Sequence, residues 1–260
     1  MTNQRSLLLL LAGAVVMIAA VVGALYFAGS LSNSDEAPSA AMSKTDVEKI
    51  VRNYLLEHPE VIFEAAQRMQ DKENDQRIAK IKDGAKVHAT ALFKEADPII
   101  AGNPKGDITI VEFFDYRCPY CHKVIADLTD LLKQDGNIRL VFKEFPILSP
   151  ESALAARAAI ASASQGKYWE FHTAMMKAED LNQELLFKIA KDIGLDVERL
   201  KKDMNDPKVS KRLKETDDLA RALGIDATPT FFVGDEPLTG AKTLKELKEA
   251  VAAARKARPS

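Results

Sequence analysis

Two runs of β-branched and aromatic residues flank a helical pattern in the middle of the chain, and this order constrains the fold most. The first run, Ile108–Phe114, and the second, Ile138–Phe142, have the composition of buried strands. Between them, Cys118–Gln134 carries apolar residues at helical spacing, and Gly136-Asn137 turns the chain. A strand, a helix and a second strand of this kind predict a right-handed parallel crossover, and therefore an α/β sheet.

The same sheet is expected to continue after a long helical block. Residues from about 151 to 222 have helical spacing, interrupted by two glycines and a proline. Phe231–Val233 then predicts a third strand, and Gly234-Asp235 predicts the turn of a hairpin. Because strands stand before and after the helices, we expect one domain over residues 98–260 with a helical insertion.

The N-terminus predicts a membrane anchor. Residues 7–28 carry no charge, and at about 1.5 Å per residue they would cover roughly 33 Å, enough to cross a bilayer core. This leaves residues 1–6, with Arg5, as a cytoplasmic tip and residues 29–44 as a polar, flexible linker. A cleaved signal peptide is the alternative. Either interpretation places the rest of the chain outside the cytoplasm.

Residues 45–97 predict a helical segment. Thr45 and Glu48 have the spacing of a capping box, and an apolar face follows until His58-Pro59 ends the first helix. A second helix has apolar residues from Val61 to Met69; the stretch Gln70–Arg77 is wholly polar, and apolar spacing resumes at Ile78. The segment has too few large side chains to bury its own apolar face. We therefore expect it to join copies of the chain into a homo-oligomer. The alternative is that its helices dock on their own chain.

Charge and cysteine content narrow the function. The 260 residues have a net charge of -2, and no basic patch stands out, so nucleic acid is not an expected partner. The chain has two cysteines, Cys118 and Cys121. A scaffold stabilised by disulfides would have more cysteine pairs, and a core of this size does not need a disulfide for its stability. The two cysteines therefore indicate chemistry.

The Cys118-Pro119-Tyr120-Cys121 motif is expected at the start of a helix. Pro119 suits the first helical position, and Cys118 then faces free backbone N–H groups at the positive end of the helix dipole. Thiols in such positions have lowered pKa values, which make the thiolate a nucleophile and a good leaving group. Cys121 lies one turn further on, within disulfide range. We predict Cys118 as the nucleophile of a redox-active disulfide and Cys121 as the resolving thiol.

Other uses of these cysteines stay open. With His122, the motif spells the attachment signature of c-type haem. A structural zinc, a structural disulfide, and a dithiol that holds copper in a binding or holdase module without redox turnover are further alternatives. In the redox interpretation, His122 is expected to face solvent near the site.

Several motifs, in order, resemble the DsbA family of thioredoxin-fold proteins. The resemblance covers about residues 98–255. The motifs that carry it are Val111–Cys121, Lys143–Leu148, Ala155–Ala159, Gly166–His172 and Gly224–Phe231. The resemblance implies a thioredoxin fold with an inserted helical domain and an oxidoreductase of periplasmic or other extracytoplasmic proteins. It implies no cofactor and no metal.

The family pattern assigns further roles. Pro229 matches the family's cis-proline, which lies against the active-site disulfide, and Thr228 before it offers its backbone to an extended substrate. Pro119 and Tyr120 belong to the same substrate-binding surface. Glu112 matches a buried acid under the second cysteine, a proton acceptor for Cys121; the alternative is a strand glutamate paired with a lysine.

The N-terminal helices are similar to those of the ScsC and Com1-like branches, which oligomerise through such helices. The resemblance implies reduced or wrongly bridged client proteins as partners, and a membrane redox partner that resets the cysteine pair. The Pro119-Tyr120 dipeptide and Thr228 also occur in isomerase-type relatives. Oxidase, isomerase and reductase activities therefore all stay open.

Overall fold

The computed structural model describes residues 42–178 and 181–257. The predicted anchor, residues 7–28, lies outside the described residues, as do the cytoplasmic tip 1–6 and almost all of the linker 29–44. In the described part of the chain, no helix has both the length and the apolar character of a membrane span. Contacts divide the chain into two compact units, Met1–Gln67 and Arg68–Ser260.

The N-terminal unit contains helix α1, Lys44–Glu57, and the beginning of α2, Glu60–Val87. The predicted cap at Thr45 is wrong: Ser43 is the N-cap, because its hydroxyl oxygen accepts the backbone N–H of Asp46 at 3.2 Å. α1 ends before His58-Pro59, as predicted. α2 continues through the polar stretch 70–77 without a break.

Each remaining element belongs to the second unit. Its helices are α3 (Ala89–Phe93), α4 (Pro119–Gln134), α5 (Pro150–Ser162), α6 (Tyr168–Met176), α7 (Gln183–Asp192), α8 (Val197–Asp203), α9 (Pro207–Leu223) and α10 (Leu244–Ala257). Its strands are β1 (Ile100–Gly102), β2 (Ile108–Phe114), β3 (Ile138–Glu144), β4 (Thr230–Val233) and β5 (Glu236–Thr239). The sheet order is β1-β3-β2-β4-β5.

The sheet confirms the predicted topology. β2 and β3 are parallel, with Ile110 opposite Leu140, and the other neighbouring pairs are antiparallel. The helical block between β3 and β4 interrupts one sheet, and Gly234-Asp235 forms the turn between β4 and β5. Strand β1 was not predicted. The result is a thioredoxin-like α/β fold with an inserted helical region.

Alternate residues of β2 enter two different hydrophobic clusters, as the two-residue period of a strand requires. Ile110 and Phe114 belong to the larger cluster, with residues of α4, α10 and the inserted helices. Val111 and Phe113 belong to the smaller cluster on the other face. Glu112 alternates with Ile110 and Phe114, so its position in the strand directs it to the face that α4 covers.

The second unit begins earlier than the predicted boundary at residue 98. Ile81, Ala85 and Leu92, from α2 and α3, are buried in the smaller cluster beside Leu223 and Ile225. These apolar residues need the cover that the sheet provides, so the second half of α2 folds with the thioredoxin-like unit. Residues 45–97 are therefore not one separate segment.

Candidate functional site

The redox motif lies where the sequence places it. Cys118 is the N-cap of α4, with extended backbone angles, and Pro119 is in the first turn. Cys118 and Cys121 are both free thiols and both buried, with exposed fractions of 4% and 1%. Tyr120, between them, is 58% exposed. The motif thus presents an exposed ring above two enclosed sulfur atoms.

Hydrogen bonds make the Cys118 thiol acidic. The Cys121 side chain contributes most, and the Thr228 side chain and the backbone N–H groups of Cys121 and Tyr120 add to it. Together they lower the pKa of Cys118 from 9.0 to about 5, although burial opposes this change. The backbone contribution is the one expected at a helix start, but it is smaller than the contribution of the Cys121 side chain.

Cys121 has the opposite character. Burial raises its pKa far above the ordinary value, and its hydrogen bond to Cys118 and the nearby Glu112 carboxylate raise it further. The two thiols therefore differ in ionisation, so only Cys118 is a thiolate near neutral pH. This asymmetry suits one nucleophile and one thiol that needs a base before it can react.

Glu112 is a buried acid beside the cysteines. It is 2% exposed, and its Oε2 atom has no hydrogen-bond partner in the described part of the chain. Burial, with a smaller contribution from Cys118, raises the pKa of Glu112 from 4.5 to about 8. The alternative pairing with a lysine does not occur at Lys143 on the neighbouring strand, because that side chain binds Glu95.

The proline loop completes the site. α9 ends at Gly224, whose left-handed backbone (φ 72°) starts the loop. The Thr228–Pro229 peptide bond is cis. The carbonyl oxygen of Thr228 lies 3.2 Å from the Cys118 sulfur, so the structure brings Thr228 and Pro229 to the nucleophile although 110 residues separate Thr228 from Cys118. Cys118, Cys121, Glu112, Thr228 and Pro229 therefore form one site.

His122 differs from the prediction that it faces solvent. Its ring is half-buried, and Nε2 lies 2.7 Å from the carbonyl oxygen of Tyr116. This bond is possible because the turn before Cys118 folds back over the first turn of α4. A haem attached to the two buried sulfur atoms would have to open this arrangement. In the described residues, no cluster of three or more acidic, histidine or cysteine side chains could hold a metal.

Sequence reasoning did not find the buried polar residues around the site. The Tyr168 hydroxyl donates to Glu144 at 2.6 Å, and the Tyr116 hydroxyl lies 3.0 Å from Nδ1 of His172. Burial raises the pKa of Glu144 to about 7 and lowers the pKa of His172 to about 3, so His172 is neutral. Tyr168 and Phe171 are core residues.

A further residue that the prediction did not include is Asp115. It is 1% exposed and follows β2 directly, two residues before the exposed Arg117. The available signal was the aspartate itself, since an Asp at a strand end commonly accepts the backbone N–H two residues later. The other partners of Asp115 are distant in sequence and have no local signal.

Comparisons with known proteins identify the family of the chain. A family model described as a DSBA-like thioredoxin domain matches residues 109–252, and one described as the copper resistance protein ScsC N-terminal domain matches residues 44–76. These matches confirm the resemblance to the DsbA family and its ScsC branch.

Two solved structures and one curated protein illustrate the range of relatives. A thioredoxin-like oxidoreductase from Silicibacter pomeroyi is 43% identical, with a TM-score of 0.63 over 65% of this chain and 98% of that one. The thiol-disulfide exchange protein alpha-DsbA2 from Wolbachia pipientis is 28% identical, with a TM-score of 0.64 over 68% of this chain and 97% of that one.

The curated relative is the Na(+)/H(+) antiporter NhaA 3 from Salinispora tropica, which is 30% identical over 184 residues. These are 68% of this chain but only 28% of the antiporter's length. The match is thus to a part of a longer protein. Since the thioredoxin-domain model matches residues 109–252, which is more than half of the chain, the chain belongs to the family of DSBA-like thioredoxin domain proteins.

Proposed function

We propose that this protein exchanges disulfide bonds with extracytoplasmic client proteins, in the bacterial periplasm, through Cys118 and Cys121. The observation that carries the proposal is the difference between the two thiols. Cys118 is acidic, with a pKa of about 5, whereas burial keeps Cys121 protonated behind it. The family and the site geometry support thiol–disulfide oxidoreductase chemistry in general; clients and location are parts of the proposal.

In the proposed exchange, a client thiolate attacks the sulfur of Cys118 in the protein disulfide. The Cys118–Cys121 bond breaks, a mixed disulfide forms, and Cys121 leaves with the electron pair. Glu112, with a pKa of about 8, holds a proton near neutral pH and can give it to the departing Cys121 sulfur. A second client thiolate then displaces Cys118, which leaves as a stable thiolate. The client is oxidised and the protein is reduced.

The acidic thiol favours the reduced protein. A fall of the Cys118 pKa from 9.0 to about 5 stabilises the reduced form at pH 7 by roughly 3 kcal/mol relative to an ordinary thiol. A disulfide that is reduced so readily acts as an oxidant. This supports disulfide formation or isomerisation over reduction, with a separate membrane redox partner that resets the pair.

The substrate surface is proposed around the thiol. The Thr228 carbonyl lies 3.2 Å from the Cys118 sulfur and has the position to meet the backbone of an extended client. Tyr120 and Pro119, which follow Cys118 in the chain, are both exposed.

The experiment for the central proposal uses three forms of the full chain. Wild-type protein is expected to oxidise a reduced client, Cys118→Ala to be inactive, and Cys121→Ala to accumulate a mixed disulfide with the client. A redox titration against glutathione should give a potential nearer to about −120 mV than to about −270 mV. Activity that survives in Cys118→Ala would overturn the proposal. If the protein oxidises reduced clients but never corrects a client with wrongly paired disulfides, that result would argue against isomerase activity and leave the proposed oxidation intact.

Self-association through the N-terminal helices is the second part of the proposal. The first unit has a row of apolar side chains that are 44% to 56% exposed: Val47, Ile50, Val51 and Tyr54. Val47, Val51, Leu55 and Ile62 line a groove of about 500 Å³ in the same unit. Apolar surface of this kind favours association with a second copy of the chain.

Sedimentation of the full chain tests this association. Wild-type protein should sediment as an oligomer and Val51→Glu as a smaller species, while Lys49→Glu, a charge change on the same helix, should stay oligomeric. Equal sedimentation of all three would refute the proposal. Several active sites on one oligomer would suit isomerisation, since scrambled clients need repeated capture.

Copper binding is the alternative function. The matched family name that mentions copper resistance belongs to residues 44–76, which contain no cysteine, so it does not bear on the dithiol. Stoichiometric Cu(I) uptake that either cysteine substitution abolishes, without oxidation of clients, would favour this alternative.

A further inference from the structure

The carboxylate of Asp115 is buried and accepts four hydrogen bonds. Its Oδ1 accepts the backbone N–H of Arg117 and the hydroxyl of Ser152, both at 2.7 Å. Its Oδ2 accepts the backbone N–H groups of Ile147 and Leu148 at 2.8 and 3.0 Å. Four donors of this kind compensate the cost of burying an ionised carboxylate.

These four bonds join three separate segments. Arg117 precedes the nucleophile, Ile147 and Leu148 form the loop after β3, and Ser152 lies in the first turn of α5, the first inserted helix. One side chain therefore fixes the turn before Cys118 against both the sheet and the insertion.

The backbone of Asp115 contacts both cysteines as well. Its carbonyl oxygen accepts the N–H of Cys118 at 3.1 Å, and its backbone opposes the rise in the pKa of Cys121. We call Asp115–Cys118 the redox turn. A displacement of Asp115 moves the N-cap sulfur relative to the N–H groups that stabilise its thiolate.

We propose that Asp115 is a positioning residue for the nucleophile: its carboxylate holds the redox turn so that the Cys118 sulfur stays at the N-cap of α4, beside the Thr228 carbonyl oxygen. This inference rests on the proposed thiol–disulfide exchange. It assigns the residue no contact with the client and no proton transfer.

The Asp115→Asn variant is expected to break the bond to the redox turn and to keep the bonds to the 147–148 loop and Ser152. An asparagine side chain has one oxygen and one NH₂ group. The N–H groups of Ile147 and Leu148 can only donate, whereas the Ser152 hydroxyl can also accept. The least costly orientation therefore directs the oxygen to the 147–148 loop and the NH₂ group to Ser152. The N–H of Arg117 then loses its acceptor, so the redox turn alone is released.

The direction of the change in the Cys118 pKa distinguishes positioning from charge. Loss of a negative charge near the thiol would by itself lower this pKa. Loss of the correct turn geometry weakens the hydrogen bonds to the thiolate and raises it. We expect Asp115→Asn to raise the midpoint of pH-dependent alkylation of Cys118 by about one unit. The equilibrium with glutathione then moves about tenfold towards the protein disulfide.

Two controls accompany the variant. Ser152→Ala removes one donor from the same carboxylate but leaves the Arg117 bond, so it should lower the melting temperature without moving the alkylation midpoint. Asp130→Asn makes the same formal charge change at an exposed position of α4 and should alter neither quantity. A midpoint that falls or stays constant in Asp115→Asn, or one that rises equally in Ser152→Ala, would overturn the proposal.

A second pair of variants serves if Asp115→Asn does not fold. In Asp115→Ser, the hydroxyl can accept the Arg117 N–H in the same type of turn, whereas Asp115→Ala offers no acceptor. The alkylation midpoint should be lower in the serine variant than in the alanine variant, and equal midpoints would contradict positioning. If wild-type protein oxidises clients and all Asp115 variants have the wild-type midpoint, only this inference fails. If wild-type protein itself has an ordinary thiol, the proposed function fails.

Discussion

Substitution of Glu112 by Gln should change how the stability of the reduced protein depends on pH. Burial raises the pKa of Glu112 from 4.5 to about 8. Between these values the folded protein holds a proton that the unfolded chain has released. The unfolded state binds fewer protons, so this group makes the free energy of unfolding fall as pH rises. The loss begins near pH 4.5 and levels off above about pH 8.

The expected magnitude follows from the two pKa values. A shift from 4.5 to about 8 destabilises the wild-type fold by roughly 3 kcal/mol at pH 7, and by roughly 5 kcal/mol above about pH 9. Glu112→Gln removes this dependence, because the amide does not titrate. An unpaired buried amide costs about 1–3 kcal/mol, but that cost is the same at every pH.

Urea unfolding of reduced proteins at about pH 5, 7 and 9 measures the effect. The difference in unfolding free energy, variant minus wild type, should increase steadily from the lowest to the highest pH. Groups that do not interact with Glu112 contribute equally to both proteins and cancel, and the interaction of Glu112 with Cys118 is smaller than the effect of burial. Glu249→Gln, at an exposed position of α10, is the matched control and should give a constant difference. A constant difference for Glu112→Gln as well would refute the buried, protonated carboxylate.

Three further outcomes are expected. Cys121→Ala should raise the pKa of Cys118, because the Cys121 side chain is the largest cause that lowers it; alkylation against pH checks this, and an unchanged midpoint would contradict it. Ile81→Ala should cost about 2–5 kcal/mol in urea unfolding, since Ile81 is 2% exposed, whereas Val87→Ala, at 79% exposure on the same helix, should cost less than about 1 kcal/mol. Equal costs would refute the assignment of α2's second half to the thioredoxin-like unit. Tyr168→Phe should cost about 1–3 kcal/mol and lower the melting temperature, because it leaves a buried carboxylate oxygen without its donor.

Local pattern was enough to predict the sheet and the redox motif. The strand runs, the parallel crossover and the β4–β5 hairpin have short-range signals in composition and turn residues. The N-cap position of Cys118 follows from a strand end, a proline and a helical period within a few residues. The approach of Thr228 to Cys118 could not be predicted from local pattern; that prediction rested on the family resemblance.

Features that depend on tertiary contacts were not predictable from local signals. Strand β1 has only three residues, including a glycine, so it has no strand signature of its own. The spacing of Ile81 and Ala85 indicates a helix, but it does not indicate which surface covers that helix. The predicted domain boundary at residue 98 therefore lies after the observed start of the second unit at Arg68. Ser43 and Thr45 are equally good caps by composition, and the geometry of the first turn selects Ser43.

The four bonds of Asp115 illustrate the same limit. Its bond to Arg117 is local and has a sequence signal. Its bonds to Ile147, Leu148 and Ser152 join residues 32 to 37 positions apart, and they exist only because β3 and α5 return to the same point.

The most direct test of the account is the ionisation of one sulfur atom. The rate at which iodoacetamide alkylates Cys118 in the reduced wild-type protein should follow a single titration, because Cys121 stays protonated. The structure predicts a midpoint near pH 5. A midpoint near about 8.5, the value of an unperturbed cysteine, would contradict the account.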